Sequence, residues 1–467
     1  MTNRQKTALE LSEALREGAT TSEALVLEAL KTIEKYDGTL NALCDLNHHA
    51  LLEARALDLE RREHGPRGPL HGIPVIIKDN ILTKGPMRTT VNARVFKDFY
   101  APYDATLVKK IKAAGMVILA KASLSEFAYY MSTTTMPSGY GSLFGQVVHP
   151  YDPSIDPLGS STGSAVGVAR GYVPLSVGTE TLGSLMSPAM KNGIVSIKPT
   201  LGRVSRHGIV PVSSHQDTAG PMSTTLKDSA MLLDVMKGRD EADPFTALIP
   251  KDETDYLAAC DRPISGMRVG LLNFKGHEAT GEEADILKEA KSVLEKQGVV
   301  VEDITHTYDL PDNTRTLTPE FHRDMNHFLS TVRAATDIHT LHDIVTFNRA
   351  DPRRNLKHGQ GRFLNALGQD QRLKDQDYLK AKRENARAID KFMALFETHN
   401  LDAVVTTKIT GYPPVGGLPS IIIPAKALTD TKPMGMLFIG KPFEEATILP
   451  LAHQYEQKTS HRIPPKP

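Results

Sequence analysis

Residues 72–80 read Gly-Ile-Pro-Val-Ile-Ile-Lys-Asp-Asn. The uninterrupted apolar run at 73–77 predicts a strand, and Lys78 follows that strand directly. Further along, the spacing of apolar residues predicts a helix at 106–114 and a second strand at 116–120. Strands that alternate with helices in this way are typical of a sheet covered by helices. We therefore predict an α/β fold.

Similar patterns continue along the rest of the chain. They predict further strands at 173–177, 194–198, 267–272, 403–405 and 420–423. They predict further helices at 165–170, 227–236, 282–297 and 375–399. The segment 307–370 is polar and mostly helical, with expected breaks at Pro311, Pro319 and Pro352. Because predicted strands precede and follow this segment, we interpret it as an insertion over one core.

We predict a single domain over residues 1–467. Within it we expect an N-terminal helical region at about 5–62, a core at about 65–240, a helical insertion at about 307–400, and C-terminal strands with a helix at 401–467. The sequence Thr20-Thr21-Ser22-Glu23 predicts an N-cap inside the first of these regions.

The composition excludes several classes of protein. Lys and Arg together number 55, as do Asp and Glu, and no basic stripe is present, so we expect no nucleic-acid partner. Two cysteines, Cys44 and Cys260, are too few for a disulfide framework and fit a reducing compartment. The sequence contains no signal-peptide core and no apolar run long enough to span a bilayer. We therefore expect a cytoplasmic protein with no membrane partner.

Two serines lie in loops of small residues, Ser160 within 157–165 and Ser184 within 178–189. Serine is a weak nucleophile at neutral pH and needs an adjacent base, and a lysine can act as that base only when burial keeps it neutral. Taken singly, each feature has a simpler interpretation. Each serine could stand in a tight turn or cap a helix, and Lys78 could reach solvent or pair with Asp79. Together they supply a nucleophile, a relay and a base for acyl transfer without histidine.

Acyl transfer also requires backbone amides that stabilise an oxyanion. The residues before Ser184, namely Thr181, Leu182 and Gly183, could present consecutive amides in a turn. We therefore predict an oxyanion loop there.

A different motif overlaps the first serine loop. The sequence Gly159-Ser160-Ser161-Thr162-Gly163 matches the G-x-S-x-G nucleophile elbow, with Ser161 as the nucleophile. An elbow needs a strand immediately before it, and the three prolines at 150, 153 and 157 exclude a central strand there. His149, His207, His215 and His453 are scattered, and none has the spacing of a zinc helix. We therefore expect no metal site.

At this point the motifs resemble those of the amidase signature family of Ser-Ser-Lys hydrolases. The resemblance extends over about residues 5–460 and is carried by 72–80, 159–161, 178–189, 197–200, 217–222, 417–419 and 444–457. It implies a large mixed central β-sheet covered by helices on both faces. Within the family, 207–218, 320–321, 347–349 and 359–360 are similar to the bacterial peptide amidases, which remove the C-terminal carboxamide from peptides.

The resemblance assigns roles to individual positions. It implies that Ser184 is the nucleophile, that Ser160 is the bridging serine after a cis peptide bond with Gly159, and that Lys78 is the general base. The implied enzyme forms an acyl-enzyme from a peptide amide or another linear amide, needs no cofactor, and is a monomer or homodimer.

Other residues are expected to support these three. The candidates for shaping the pocket or bracing its loops are Asp79, Ser161, Thr181, Gln216 and Asp217.

Four positions depart from the family pattern. Leu158, Thr162 and Leu182 stand where the family usually has glycine, and Met186 stands where it has arginine. A positive φ at Leu182 would strain the predicted oxyanion loop.

These departures leave two alternatives open. One is a biosynthetic acyltransferase or amidotransferase subunit with the same three residues, and the other is a non-hydrolytic binding protein on the same fold. The presence of Lys78, Ser160 and Ser184 together favours an active amidase.

Overall fold

The computed structural model describes residues 6–250, 254–311, 313–426 and 433–466. In chain order its strands are β1 (Leu43–Leu46), β2 (Pro74–Lys78), β3 (Val117–Ala122), β4 (Tyr140–Gly141), β5 (Gly145–Gln146), β6 (Leu175–Glu180), β7 (Val195–Lys198), β8 (Thr218–Ser223), β9 (Arg268–Phe274), β10 (Val300–His306), β11 (Ala403–Thr406), β12 (Ser420–Ala425) and β13 (Met434–Ile439). Within these residues, one mixed sheet of 11 strands has the order β1-β3-β2-β6-β8-β7-β12-β13-β11-β9-β10, and β4 and β5 form a separate pair.

Helices surround this sheet. They are α1 (Ala8–Arg16), α2 (Ser22–Leu40), α3 (Ala50–His64), α4 (Thr106–Ala113), α5 (Thr162–Arg170), α6 (Met186–Lys191), α7 (Leu226–Met236), α8 (Tyr256–Ala259), α9 (Glu282–Glu295), α10 (Thr314–Thr331), α11 (Leu341–Ala350), α12 (Pro352–Asn355), α13 (Gly361–Leu367), α14 (Gln376–Thr398), α15 (Tyr412–Gly416) and α16 (Glu445–Thr459). No helix in the described parts of the chain has the length and apolar character that a bilayer crossing requires.

Strand β2 explains why the sheet is covered on both faces. All five of its residues are buried, and it runs parallel to β3 on one side and to β6 on the other. Val75 and Ile77 pack in a cluster that contains residues of α4 and α7. Ile76 packs in a different cluster, with residues of α2 and α5. Because alternate side chains of a strand point to opposite faces, the apolar run produces a strand between two helical layers. The predicted α/β fold is confirmed.

The N-terminal region is helical, as predicted, but it also contains a strand. Thr21 caps α2, and its hydroxyl accepts a hydrogen bond from the amide of Ala24 at 3.1 Å. The four residues of β1 interrupt the helices and pair with β3. Such a short strand has too little periodicity to be recognised in the sequence. Residue 5, where this region was expected to start, lies outside the described residues.

The predicted break at Pro319 is wrong. Pro319 lies inside α10, which continues for 18 residues from Thr314 to Thr331. The proline removes one backbone hydrogen bond, but Leu317, Phe321 and Met325 pack this helix into the main apolar cluster. Tertiary packing of an apolar face contributes more to helix stability than local propensity does, so the helix persists through the proline.

Candidate active site

Lys78 is the last residue of β2 and is completely buried. Its Nζ atom lies within hydrogen-bonding distance of Ser160 Oγ (2.8 Å), Ser161 Oγ (2.9 Å), Thr179 Oγ1 (2.9 Å) and the Thr179 carbonyl (3.2 Å). Burial lowers the pKa of Lys78 to about 7, although the negative charges of Asp217 and Glu180 act in the opposite direction. A large fraction of this lysine is therefore neutral at physiological pH and able to accept a proton.

Sheet register brings these groups together. Parallel pairing of β2 with β6 sets Ile77 opposite Val177, so Lys78 and Thr179 lie at the same edge of the sheet. Ser160 stands just before α5, and its peptide bond with Gly159 is cis, as the resemblance implies. A Cβ atom on Gly159 would come within 2.5 Å of Ser125 Oγ, so the close packing of this turn requires glycine.

Ser184 lies in the loop between β6 and α6 and is 9% exposed. Its carbonyl accepts a hydrogen bond from the amide of Ser161 at 3.3 Å, which joins the two serine loops through their backbones. Its hydroxyl makes no hydrogen bond within the described part of the chain. The structure thus places Lys78 and Ser160 in direct contact and joins the loop of Ser184 to the loop of Ser160 through the backbone of Ser161.

The loop from Thr181 to Ser184 contains four consecutive backbone amides. Among the described residues, none of these four amides donates a hydrogen bond to the protein, whereas the next two, of Leu185 and Met186, donate to Glu180 Oε2 at 2.8 and 3.1 Å. The four amides therefore have no protein acceptor among the described residues.

The condition for strain at Leu182, a positive φ, is not met. The turn places its left-handed conformation at Gly183, with φ 80°, so that Leu182 has an ordinary φ. A positive φ occurs instead at Leu158, with φ 56°, at another position where the family usually has glycine. The backbone there is held by two hydrogen bonds: Asp156 Oδ1 accepts one from the Leu158 amide, at 2.8 Å, and the Leu158 carbonyl accepts one from Thr162 Oγ1, at 2.9 Å.

Gln216 and Asp217 contact Thr181 at the start of this loop. Gln216 Nε2 donates to the Thr181 carbonyl at 3.1 Å, and Thr181 Oγ1 donates to Asp217 Oδ1 at 2.5 Å. Burial raises the pKa of Asp217 to about 6. Both residues therefore hold the loop and make no hydrogen bond with Lys78.

Asp79 and Ser161 have different surroundings. Asp79 Oδ2 accepts a hydrogen bond from the Thr90 amide at 3.0 Å, and Asp79 Oδ1 lies 3.7 Å from Lys121 Nζ, so Asp79 is paired away from Lys78. Ser161 is buried, and its hydroxyl donates to the Thr179 carbonyl at 2.9 Å. No strand immediately precedes Ser161, so the surroundings required by a nucleophile elbow are missing from this described segment.

Two residues of this site were not singled out in the sequence. Thr179 contacts Lys78 through both its hydroxyl and its carbonyl, and the Asn80 side chain donates to the same hydroxyl at 3.0 Å. Glu180 fixes the amides that follow Ser184. Thr179 and Glu180 lie in the segment 178–189 that contains the predicted nucleophile, and this position was the signal that could have identified them.

Two large cavities border the site. A cavity of about 420 Å³ adjoins the oxyanion loop and is lined by Leu182, Gly183, Ser187, Tyr308, Leu310, Pro311, Asn313, Ile409, Thr410 and Gly411. Another, of about 480 Å³, touches Asp217. Lys78, Ser160 and Ser184 do not line either of these two cavities. The cavity beside Leu182 contacts the loop that carries Ser184 through Leu182 and Gly183.

Comparisons with known proteins identify the family of the chain. The family model named Amidase matches residues 24–415. A probable amidase from Arabidopsis thaliana is 32% identical, with 99% of this chain and 91% of that protein covered. A glutamyl-tRNA(Gln) amidotransferase subunit from Thioalkalivibrio sulfidiphilus is 34% identical over 99% of each. The structure of the peptide amidase from Stenotrophomonas maltophilia is 34% identical with a TM-score of 0.92, covering 99% of this chain and 98% of that one. The chain belongs to the amidase signature family and has the fold of that family.

Proposed function

We propose that this amidase hydrolyses linear amides through an acyl-enzyme, with Ser184 as the nucleophile, Ser160 as the relay and Lys78 as the general base. The observation that carries the proposal is the buried Lys78, whose Nζ lies 2.8 Å from Ser160 Oγ and whose pKa is lowered to about 7. A neutral amine in contact with a serine hydroxyl is the arrangement that base catalysis by lysine requires.

The proposed reaction conserves protons at each step. As Ser184 Oγ attacks the amide carbon, its proton passes to Ser160 Oγ while Ser160 gives its own proton to Lys78 Nζ. The free amides of the loop at 181–184 donate hydrogen bonds to the developing oxyanion. The proton then returns from Lys78 through Ser160 to the leaving nitrogen, the carbon–nitrogen bond breaks, and ammonia or an amine departs. Water, activated by the same relay, then hydrolyses the acyl ester on Ser184 Oγ, which releases the acid and regenerates the serine.

Peptide C-terminal carboxamides are the substrates that we propose. The similarity to a peptide amidase over almost the full length of both chains supports this substrate class. The cavity beside the loop also supports it, because Leu182, Leu310 and Ile409 give it apolar walls suited to an uncharged side chain.

A second candidate is an amidotransferase subunit that passes the released ammonia or the acyl group to an acceptor. It is favoured by the 34% identity with the glutamyl-tRNA(Gln) amidotransferase protein over 99% of both chains. Such a subunit would need a partner or an acceptor for full activity. A non-hydrolytic binding protein is the third alternative, and the replaced glycines at 158, 162 and 182 are the observation in its favour.

The deciding experiment measures ammonia release from a C-terminally amidated dipeptide by the isolated chain. We expect release by the parent protein and its loss in Ser184→Ala. Ser196→Ala is the matched control, because Ser196 is also buried but donates to the Pro221 carbonyl within the sheet, so this variant should retain activity. Release that survives in Ser184→Ala would refute the assigned nucleophile. Release that appears only after an acceptor or a partner protein is added would favour the amidotransferase.

A further inference from the structure

Thr181 is held from two directions by consecutive residues of one loop. Gln216 Nε2 donates to the Thr181 carbonyl at 3.1 Å, and Asp217 Oδ1 accepts from the Thr181 hydroxyl at 2.5 Å. Gln216 is 5% exposed and Asp217 is 8% exposed, so water competes little for either contact. Both contacts act on the first residue of the proposed oxyanion loop.

Because the peptide group is planar, the hydrogen bond from Gln216 to the Thr181 carbonyl also orients the amide of Leu182. The carbonyl of Thr181 and the N–H of Leu182 belong to the same peptide unit and point in opposite directions when that unit is trans. A donor that fixes the direction of the Thr181 carbonyl therefore also fixes the direction of the Leu182 N–H. The hydrogen bond from the Thr181 hydroxyl to Asp217 restrains the side-chain rotation of Thr181.

The loop that supplies these contacts is itself anchored on its other side. Asp217 Oδ2 accepts from the amides of Val212 and Ser213 at 2.8 and 2.9 Å. The Ser214 amide donates to Asp324 Oδ2 on α10 at 2.6 Å, and Arg323 donates to the Ser214 hydroxyl at 2.6 Å. Gln216 and Asp217 therefore belong to a loop tied to a long helix, which is the rigidity that a positioning group requires.

We propose that Gln216 and Asp217 are positioning residues that aim the Leu182 amide at the oxyanion, Gln216 through the shared peptide group and Asp217 through the Thr181 side chain. This inference rests on the proposed function, because it assumes that the loop at 181–184 binds an oxyanion. Neither residue touches the reacting atoms, so their effect must appear in the transition state and hardly in substrate binding.

The test uses Gln216→Met, which removes the donor and keeps a similar shape, and Thr181→Val, which removes the hydroxyl. We expect kcat on an amidated dipeptide to fall about 10- to 100-fold in each, short of the ~10²–10³ for complete loss of an oxyanion donor, with KM changed less than about threefold. Thr181→Ser restores the hydroxyl and should recover most of kcat. Thr246→Val is the matched control, because the Thr246 hydroxyl is buried but donates to the carbonyls of Asp240 and Asp243.

A peptide aldehyde supplies a second readout, because its adduct with a serine carries an oxygen at the position of the oxyanion. Its inhibition constant should rise by the same factor by which kcat/KM falls. Variants that lower the melting temperature but keep kcat and aldehyde affinity would reduce the two residues to a structural role and overturn the inference. A shift of the acid limb of the pH profile in Gln216→Met would also overturn it, since the residue would then act on Lys78.

Failure of the inference and failure of the proposed function are separable in the same experiment. If the parent protein and Ser184→Ala are equally inactive, the proposed function fails and the inference fails with it. If the parent is active, Ser184→Ala is inactive and Gln216→Met retains full kcat, only the inference fails.

Discussion

The Nζ atom of Lys78 lies 2.8 Å from Ser160 Oγ, and both side chains are completely buried. Burial accounts for the lowered pKa of Lys78, because desolvation disfavours the charged form of the amine. Lys121, also fully buried, lies near a carboxylate instead. The two lysines share burial but differ in their partners, which suits Lys78 to proton transfer.

The first prediction concerns pH. The base acts only when neutral, and its pKa is about 7, so kcat/KM for an amidated dipeptide should rise with pH through an apparent pKa of about 7 and level off above it. Lys78→Met should lower kcat/KM by at least about 10²-fold. Lys198→Met is the control, because this third buried lysine donates to the Pro199 carbonyl and its loss should leave the acid limb in place. A rate that is independent of pH across neutrality would contradict the assignment of Lys78.

A second prediction separates the two serines of the first loop. Ser161 contributes one hydrogen bond to Lys78, at 2.9 Å, and such a bond is worth about 0.5–1.5 kcal/mol. Ser161→Ala should therefore reduce kcat by about tenfold at most, whereas Ser184→Ala should eliminate measurable turnover. Steady-state kinetics of the two variants on one substrate make the comparison. An equal loss of kcat in the two variants would contradict this prediction and would favour Ser161 as the nucleophile of an elbow.

The third prediction concerns the cavity beside the oxyanion loop. Leu182 is 47% exposed and lines that cavity with Leu310 and Ile409. Replacing it with glycine removes apolar contact with a bound side chain, which we expect to be worth about 1 kcal/mol for a half-buried leucine. Leu182→Gly should therefore lower kcat/KM about fivefold for a peptide that ends in leucinamide. The same variant should change kcat/KM less than about twofold for a peptide that ends in glycinamide, and equal losses on both would argue against this contact.

The fourth prediction concerns stability. Lys121 Nζ lies 3.7 Å from Asp79 Oδ1, and neither side chain is exposed. Removing one member of a buried pair leaves an uncompensated charge and costs about 3–5 kcal/mol. Lys121→Met should lower the free energy of unfolding in urea by that amount. Lys97→Met, which removes an exposed partner of Asp98, should change it by less than about 1 kcal/mol and serves as the control.

The sequence predicts those strands whose own residues carry the pattern. Strand β2 is recognisable because its residues are apolar throughout the run before Lys78. Strand β8 reads Thr-Ala-Gly-Pro-Met-Ser, and glycine and proline inside a segment argue against a strand. It exists because β6 pairs with it along its full length and β7 pairs with its C-terminal part. Pairing of this kind depends on distant segments and leaves no local signal.

The candidate site also combines residues that local motifs identify with contacts that depend on distant segments. Lys78, Ser160 and Ser184 stand in short motifs that can be recognised in the sequence. The contact of Thr179 with Lys78 depends on the register of β2 against β6, which the sequence does not specify. The left-handed conformation at Leu158 depends in the same way on a turn closed by hydrogen bonds. Short motifs therefore predict the candidate site residues, and strand pairing determines their contacts.

The parallel pairing of β2 with β6 has a consequence for the refolding of the chain. Lys78 and Ser160 are 82 positions apart in sequence, and Lys78 and Thr179 are 101 positions apart, so their contacts close long loops. Contacts of this separation form slowly, because the entropy of loop closure must be overcome before they become favourable. No short fragment contains the whole site. Recovery of ammonia release after dilution from denaturant should therefore follow assembly of the central sheet, and it should lag behind the recovery of helical circular dichroism.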